Sequence, residues 1–461
     1  MSRLIVVSNR VSMPTPDAAQ GGLAVALQAA LREAGGLWFG WSGRTVEEFN
    51  GSVSFEEIDG VRSATVDLEP QDVEEYYNGF ANRTLWPLFH YRIDLAKYNR
   101  SFGSGYERVN KRFAEPLHVM IEPGDTVWIN DYHLIPIASQ LREHGVKNRI
   151  GFFLHTPWPP TRLLVSLPYH ERLVRTIFAY DVIGFQTEEW LESFLHYCVN
   201  ELGGSVDGEY VTVDDMTLRA VVCPIGIDFK NFLQASTTKA AQDLSERMRV
   251  SLRQLSMIVG VDRLDYSKGL EERLNSFEHY LNKHEEAHRS VVLIQVAPPS
   301  RGQVEQYQHV REKLNEMAGR INGAFAEVDW TPIRYVNRGY SRDELTALYS
   351  AAKVGLVTPL RDGMNLVAKE FVAAQDPEDP GVLVLSRFAG AAAQMKEALI
   401  VNPYAPEEVA DAIHRAMTMP LAERKRRHQA LLEGVRTQDV HWWREKFVNL
   451  IEETPHTEPA E

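Results

Sequence analysis

The stretch Val354–Glu370, VGLVTPLRDGMNLVAKE, reads as a strand, a tight turn and the start of a helix. Val354 to Val357 is a short apolar run closed by turn residues, and Gly363 permits the sharp reversal that follows it. A helix beginning near Asn365 turns its first N–H groups toward whatever lies at the strand end, an arrangement suited to anionic or hydroxyl-rich ligands. Asp362 is placed to accept hydrogen bonds from sugar hydroxyls, and Glu370, about one turn into the helix, to take ribose hydroxyls. The same carboxylates could hold a hard cation, although two lone carboxylates make a weak Mg²⁺ cage and the chain has no Asp-x-Asp pair.

Outward from this stretch the pattern repeats. Met257–Val261, Val291–Val296, Ile333–Val336, Val382–Leu385 and Leu399–Val401 read as strands separated by helical periods, and Ser341 to Glu344 has capping-box spacing ahead of a helix. The first half alternates in the same way, with strands at Leu4–Val7, Thr126–Ile129, Ile150–Leu154, Val182–Phe185 and Ala220–Cys223 and helices at Leu23–Glu33, Leu134–His144 and Glu188–Glu201. Such β/α alternation gives parallel sheets. With 461 residues the expectation is an α/β protein of two domains with a cleft between them. The polar stretch Lys230–Lys239 reads as the linker, which sets the domains at 1–235 and 236–438. Amphipathic His441–Ile451, within a helix at 439–453, should dock back on the N-terminal domain, and 454–461 reads as a disordered tail.

Composition narrows the partners. Lys plus Arg number 49 against 63 Asp plus Glu, a net −14 spread along the chain, so nucleic acid and anionic membrane are poor partners and a phosphate ligand must be caught by local cations. The two cysteines, Cys198 and Cys223, form no C-x-x-C pair, and no apolar run reaches the ~20 residues that span a bilayer. A cytoplasmic protein is expected.

Arg263 and Lys268, in VDRLDYSKG, flank a strand-to-helix loop from which both can reach one diphosphate; the alternative is a solvated loop with ion pairs to Asp262 or Asp265. Gly21-Gly22 lies between a strand and a helix, where bare backbone can approach a diphosphate or simply turn. His155 and Asp131 each follow a strand, on the face where parallel sheets bind ligands. Arg301 stands in QVAPPSRGQ, and nothing in spacing joins it to Arg10, Tyr77 or Trp86.

The stretches VVSNR, GGLAVAL, LWPLFHYR, DYHLIP, DRLDYSKGL, SRGQVEQY, LRDGMNLVAKEFVAAQDP and GVLVLSRFAGAA together resemble the bacterial trehalose-6-phosphate synthases, from Ser2 to about Phe447. The resemblance implies a GT-B-type pair of Rossmann-like domains that transfers glucose from a nucleotide sugar, UDP-glucose above others, to glucose 6-phosphate. The α,α-1,1 bond forms with retention at the donor anomer. It implies Arg10, Tyr77, Trp86, Asp131 and Arg301 for glucose 6-phosphate, with Arg10 and Arg301 on the phosphate. Gly21, Gly22, Arg263, Lys268, Tyr340, Asp362, Leu366, Val367 and Glu370 go to the donor, and His155 to the donor glucose. Arg263, Lys268, His155 and Asp362 are the implied catalytic group. Asn130, Thr156 and Tyr340 depart from the usual residues, and Thr156, with Trp86, bears on acceptor anomer selection. No cofactor or metal is implied, and a homo-oligomer, dimer or tetramer, is. A pseudo-glycosyltransferase joining cyclitols, a non-catalytic regulatory subunit and a pyridoxal phosphate phosphorylase are the competing readings.

Overall fold

A computed structural model describes residues 3–11, 27–28, 31, 35–58, 60–252, 255–299 and 305–455. The chain divides into two compact units: one holds 1–16, 20–225 and 440–461, the other 17–19 and 226–439.

The first unit is built on ten strands: β1 Leu4–Arg10, β2 Leu37–Thr45, β3 Val53–Ile58, β4 Val61–Leu68, β5 Thr126–Asn130, β6 Ile150–Phe153, β7 Val182–Phe185, β8 Ser205–Asp207, β9 Tyr210–Val213 and β10 Met216–Val222. Their order is β3-β4-β2-β1-β5-β6-β7-β10-β9-β8. The seven strands from β4 to β10 in that order are parallel, with antiparallel strands β3, β9 and β8 at the edges. Strands covered on both faces need continuous apolar sequence, and Thr126–Asn130 and Val182–Phe185 are buried at every position.

The helix Val440–Glu453 belongs to this unit, with Trp443, Phe447 and Ile451 fully buried against it. Its seat depends on two glycines. A Cβ at Gly151 would stand 2.3 Å from Ile451 Cδ1, and one at Gly184 2.6 Å from the Phe447 ring, so only glycine lets the helix lie this close to β6 and β7.

The second unit has six parallel strands: β11 Ser256–Val261, β12 Val291–Val296, β13 Ile333–Val336, β14 Val354–Val357, β15 Val382–Ser386 and β16 Leu399–Val401. Their order, β13-β12-β11-β14-β15-β16, is that of a doubly wound Rossmann sheet. The two parallel-rich sheets agree with the expected α/β class. Ser341 does cap the helix Arg342–Ala351: Glu344 N donates to its Oγ at 3.3 Å and Ser341 N donates to the Glu344 carboxylate at 2.9 Å.

The polar stretch read as a linker is a correction. Phe229–Ala235 is helical, capped by Asp228 accepting from Asn231 N, and Phe232 stacks 6.5 Å from Tyr349, so tertiary packing overrides the loop-like composition. The chain passes between units after Ile225 instead. Helix Leu134–His144 is shorter than expected, Ile137–Glu143, because Tyr132–Leu134 winds as a 3₁₀ turn. Most of the expected tail, 456–461, lies outside the described residues, as does most of the expected helix Leu23–Glu33.

Candidate active site

In a doubly wound sheet the crossovers leave two neighbouring strands in opposite directions, and the crevice at their carboxyl ends is the place a ligand fits. That point falls between β11 and β14 in the second unit and between β1 and β5 in the first.

After β11 the chain enters Asp262-Arg263-Leu264-Asp265 and the short turn Tyr266–Lys268. Asp265 pins the turn by accepting from Ser267 N at 2.9 Å. Gly269 then takes a left-handed φ of 62°, and a Cβ there would meet the Thr358 carbonyl at 2.3 Å, so the loop after β11 rests directly on the loop after β14. The contact brings Lys268 onto Asp362. They form an ion pair, each only 8% exposed, and Asn365 Nδ2 donates to the same carboxylate at 3.0 Å. Asn365, itself left-handed at φ 71°, caps the helix Leu366–Ala374 by accepting from Ala368 N.

Arg263 is exposed and forms no ion pair among the described residues. Its alternative partners are engaged elsewhere: Asp262 accepts from Arg273 at 2.7 Å, and Asp265 from Ser267 N and, at 3.2 Å, the Tyr307 hydroxyl. The strand end therefore offers one outward guanidinium beside an ammonium already held in place.

Arg273 was not anticipated. Fully buried, it donates to Asp262, to Gln295 at 3.1 Å, to Thr358 Oγ1 at 3.0 Å and to the Lys268 carbonyl at 3.5 Å. One side chain thus ties β11, β12 and β14 to the Lys268 turn. Burial pushes the Asp262 carboxyl above its usual range, with the Arg273 and Lys268 charges opposing the shift. The signal was available in principle, because Arg273 lies on the same helical face as Leu270, Leu274, Phe277 and Leu281.

Glu370 is half-buried, and the loss of water raises its pKa against the pull of Arg342 and of the Tyr349 hydroxyl, 3.4 Å away. Leu366 and Val367 form the half-buried first turn of the helix. Lys369, its neighbour on the buried face, is pushed down to about 7 by desolvation. Tyr340 is not brought into this group: Arg338 lies 4.7 Å over its ring, and it shares no hydrogen bond with Lys268 or Asp362.

In the first unit an aromatic run starts from Arg10, whose guanidinium lies 5.9 Å from the Trp41 ring. Trp41 leads to Tyr77 at 5.8 Å, Tyr77 stacks on His133 at 6.0 Å, and Tyr132 joins His133 to Trp86. Asp131, at the end of β5, has a φ of 75°, a conformation that costs a non-glycine residue about 1–3 kcal/mol. Two bonds clamp it: its N–H donates to the Phe153 carbonyl at 2.8 Å, and its Oδ1 accepts from His155 N at 3.2 Å.

The His155 ring is fixed at both nitrogens. Nε2 contacts Asn130 Oδ1 at 3.0 Å and Nδ1 contacts Gln186 Nε2 at 3.4 Å, while Gln186 Oε1 accepts from Ile225 N, which makes Nε2 the protonated nitrogen. Although part of the residue reaches solvent, burial of the ring pushes its pKa down to about 3. Gln186 was missed, and Asn130 was noted only as a departure from the usual residue; both are neutral polar residues that gain meaning only from the ring they hold. Thr156 is 4% exposed, and its Oγ1 has no hydrogen-bond partner among the described residues.

Gly21, Gly22 and Arg301 lie outside the described residues. Among the described residues the group spaced to hold a metal is His284, Glu286 and His414, which includes neither Asp362 nor Glu370. It sits past the far end of the 14-residue helix Leu270–Lys283, roughly 21 Å from the turn that starts it.

The glycosyltransferase family 20 model matches residues 6–453. A trehalose-6-phosphate synthase of Sinorhizobium fredii is 47% identical, over 97% of this chain and 98% of its own. That of Cronobacter sakazakii is 48% identical over 100% and 98%. Among solved structures, a UDP-forming α,α-trehalose-phosphate synthase of Burkholderia xenovorans in complex with glucose 6-phosphate superposes with a TM-score of 0.95 at 47% identity, covering 98% of this chain and 100% of that one. An Escherichia coli structure bound with UDP-2-fluoro glucose gives 0.94 at 44% identity, covering 99% and 100%.

Proposed function

The chain belongs to glycosyltransferase family 20, and from that membership we infer that it transfers glucose from UDP-glucose to glucose 6-phosphate, giving α,α-trehalose 6-phosphate and UDP. The observation that carries the chemistry is the buried Lys268–Asp362 pair with Arg263 open beside it, at the strand ends where a diphosphate fits. As the bond from the anomeric carbon to the β-phosphate breaks, negative charge grows on the departing UDP. Cations already in place stabilise that charge without reorganising. The acceptor's anomeric hydroxyl attacks from the face that UDP leaves, and its proton passes to a phosphate oxygen of UDP. Retention by double displacement would need a carboxylate nucleophile about 5 Å from an acid partner. Asp362 is unsuited to that, since it is held by Lys268 and Asn365.

In this reading Lys268, Arg263 and the first turn at Leu366 and Val367 take the diphosphate, with Gly21 and Gly22. Glu370 takes the ribose, Asp362 the transferred glucose, and Tyr340 flanks the nucleotide. Arg10, Tyr77, Trp86, Asp131 and Arg301 take glucose 6-phosphate, with Thr156 and Trp86 bearing on its anomer. Support comes from Arg10, Tyr77 and Trp86 falling on one aromatic run and from the clamped, strained Asp131 at the strand end. Steady-state kinetics test the leaving-group role. Arg263→Ala should lower kcat by about 10²–10³ with a much smaller change in the KM for UDP-glucose; equal losses in both would refute it.

No described helix is long and apolar enough to cross a membrane. A cytoplasmic setting is supported by two free, buried cysteines, Cys198 and Cys223, whose thiols burial pushes up to about 12. A homo-oligomer, dimer or tetramer, is the proposed assembly, and light scattering on the purified chain measures it.

A further inference from the structure

The helix Val440–Glu453 does more than cover the sheet of the first unit. Its apolar residues Trp443, Phe447 and Ile451 recur every four positions, so they form one stripe, and all three are fully buried. Side chains two apart on a strand point the same way. The stripe therefore lies on the sheet face that carries Trp128 and Asn130 of β5 and Gly151 and Phe153 of β6. Register pairs Trp128 with Gly151 and Asn130 with Phe153, so the helix meets both strands near their carboxyl ends.

His155 stands two residues beyond Phe153 and closes on the same stripe. The centroid of its ring lies 4.7 Å from that of Phe153 and 5.7 Å from that of Trp443, edge to face at 66°. Phe153 is itself held edge-on, 5.1 Å from both Trp443 and Phe447, and Trp128 stands 4.7 Å from Trp443. Asn130, whose Oδ1 meets His155 Nε2, is two residues beyond Trp128. One indole thus touches the His155 ring and also backs the two residues, Trp128 and Phe153, that precede the Asn130–His155 contact. Edge-to-face contacts of this kind set ring orientation as well as burying area.

The groups against the ring carry no charge: they are Asn130, Gln186, Phe153 and Trp443. The Asp131 carboxylate accepts from the backbone N–H of His155. On the helix, Arg444 pairs with Glu445 at 3.2 Å and Lys446 donates to the Val222 carbonyl at 3.1 Å. Desolvation therefore accounts for the depressed pKa of about 3, and Trp443 is part of the wall that keeps water from the ring.

We propose that Trp443 is a positioning residue for glucosyl transfer, through which the C-terminal helix holds the His155 ring against Asn130 and in place for the transferred glucose. The proposal rests on the reading that gives His155 to the donor glucose. Steady-state kinetics of the full chain from pH 8 to pH 5 test it. Trp443→Leu should lower kcat about tenfold at pH 8, with little change in the KM for UDP-glucose. Water admitted to the ring should also lift its pKa toward ~6.5, so the ratio of variant to parent kcat should fall severalfold further as the pH drops to 5. Trp443→Phe keeps a ring in place and discards an indole N–H that has no partner among the described residues, so it should restore most of both. Phe447→Leu is the control, because Phe447 packs on Trp128 and Phe153. It should lower the melting temperature and leave kcat and its pH dependence as in the parent. In a His155→Gln background, Trp443→Leu should cost no more than about twofold, since the group it acts through is gone. Should Trp443→Leu fail to fold, Trp443→Met, which fills the space with a flexible chain, takes its place.

A ratio constant with pH, an equal kinetic loss in Phe447→Leu, or losses that add in the double variant would overturn the positioning role. A His155→Gln chain with the parent kcat would sink the reading of His155 and the proposal with it. A His155→Gln chain that loses turnover beside a Trp443→Leu chain that keeps it sinks the proposal alone.

Discussion

After β11 and β14 the second unit buries Asp262, Lys268, Arg273 and Asp362, whereas after β5 and β6 the first unit sets Asn130, Asp131 and the neutral ring of His155. Both groups lie at the carboxyl ends of strands in a parallel sheet, so topology alone does not account for the difference. Chemistry does. A departing diphosphate gains charge during the reaction, and fixed ions answer it without rearranging, while sugar hydroxyls bind through neutral or singly charged donors and acceptors. Buried ions require mutual compensation, which is why Lys268 comes with Asp362 and Arg273 with Asp262. The neutral ring of His155 needs only hydrogen-bond continuity, supplied by Gln186 and Asn130.

The largest expected effect probes the charged side. Lys268→Met removes a cation from the proposed diphosphate site and leaves Asp362 buried without its ion-pair partner. Turnover should fall by about 10³ and calorimetric stability should fall too; a variant that keeps more than a tenth of the parent kcat would break the contrast between the units. Arg273→Met should cost about 3–5 kcal/mol in urea unfolding, because Asp262 is left buried and unpaired. Arg273→Lys should recover part of the stability and less of kcat, since an ammonium cannot reach Asp262, Gln295 and Thr358 together.

Acid sharpens the comparison on the neutral side. The folded-state pKa of His155 is depressed to about 3, so below its ordinary value near ~6.5 the unfolded chain binds a proton that the folded chain refuses. Stability from this group is present above ~6.5 and is lost as pH falls from there toward about 3. His155→Gln should flatten the decline in melting temperature between pH 7 and 4, and matching slopes in parent and variant would count against a neutral, buried ring. Asp262 acts with the opposite sign, because its folded pKa is raised: its ionisation disfavours folding as pH rises through that value. In Arg273→Met this term should grow, which a melt series over the same range detects. The smallest effect is expected at Gln186→Leu, where loss of one 3.4 Å contact to His155 and of the bond from Ile225 N should cost about 1–2 kcal/mol.

Much of the architecture was legible in single strands. Val182–Phe185, Val291–Val296 and Val354–Val357 are read from sequence with the ends they have in the structure, since a fully buried parallel strand must be a bounded apolar run; the edge strands Ile333–Val336 and Leu399–Val401, only partly buried, keep their expected ends as well. Lys230–Lys239 misled because polar side chains on a helix and on a linker look alike until Phe232 finds Tyr349. At the site, Lys268, Asp362, Asp131 and His155 announced themselves by following strands. Arg273 and Gln186 did not, and Asn130 stood out only as a departure from the usual residue, because each matters through a partner distant in the chain.

The amino-acid order by itself determined the alternation of strands and helices, the residues placed at the strand ends, and membership of a sugar-transferring family, because these follow from local period and from runs of residues too long to match by chance. Only the folded arrangement decided that Lys268 and Asp362 neutralise each other, that Arg273 holds the loop beneath them, and that His155 stays uncharged. Ionisation and pairing depend on distance and on the removal of water, and neither exists until segments far apart in sequence are packed together.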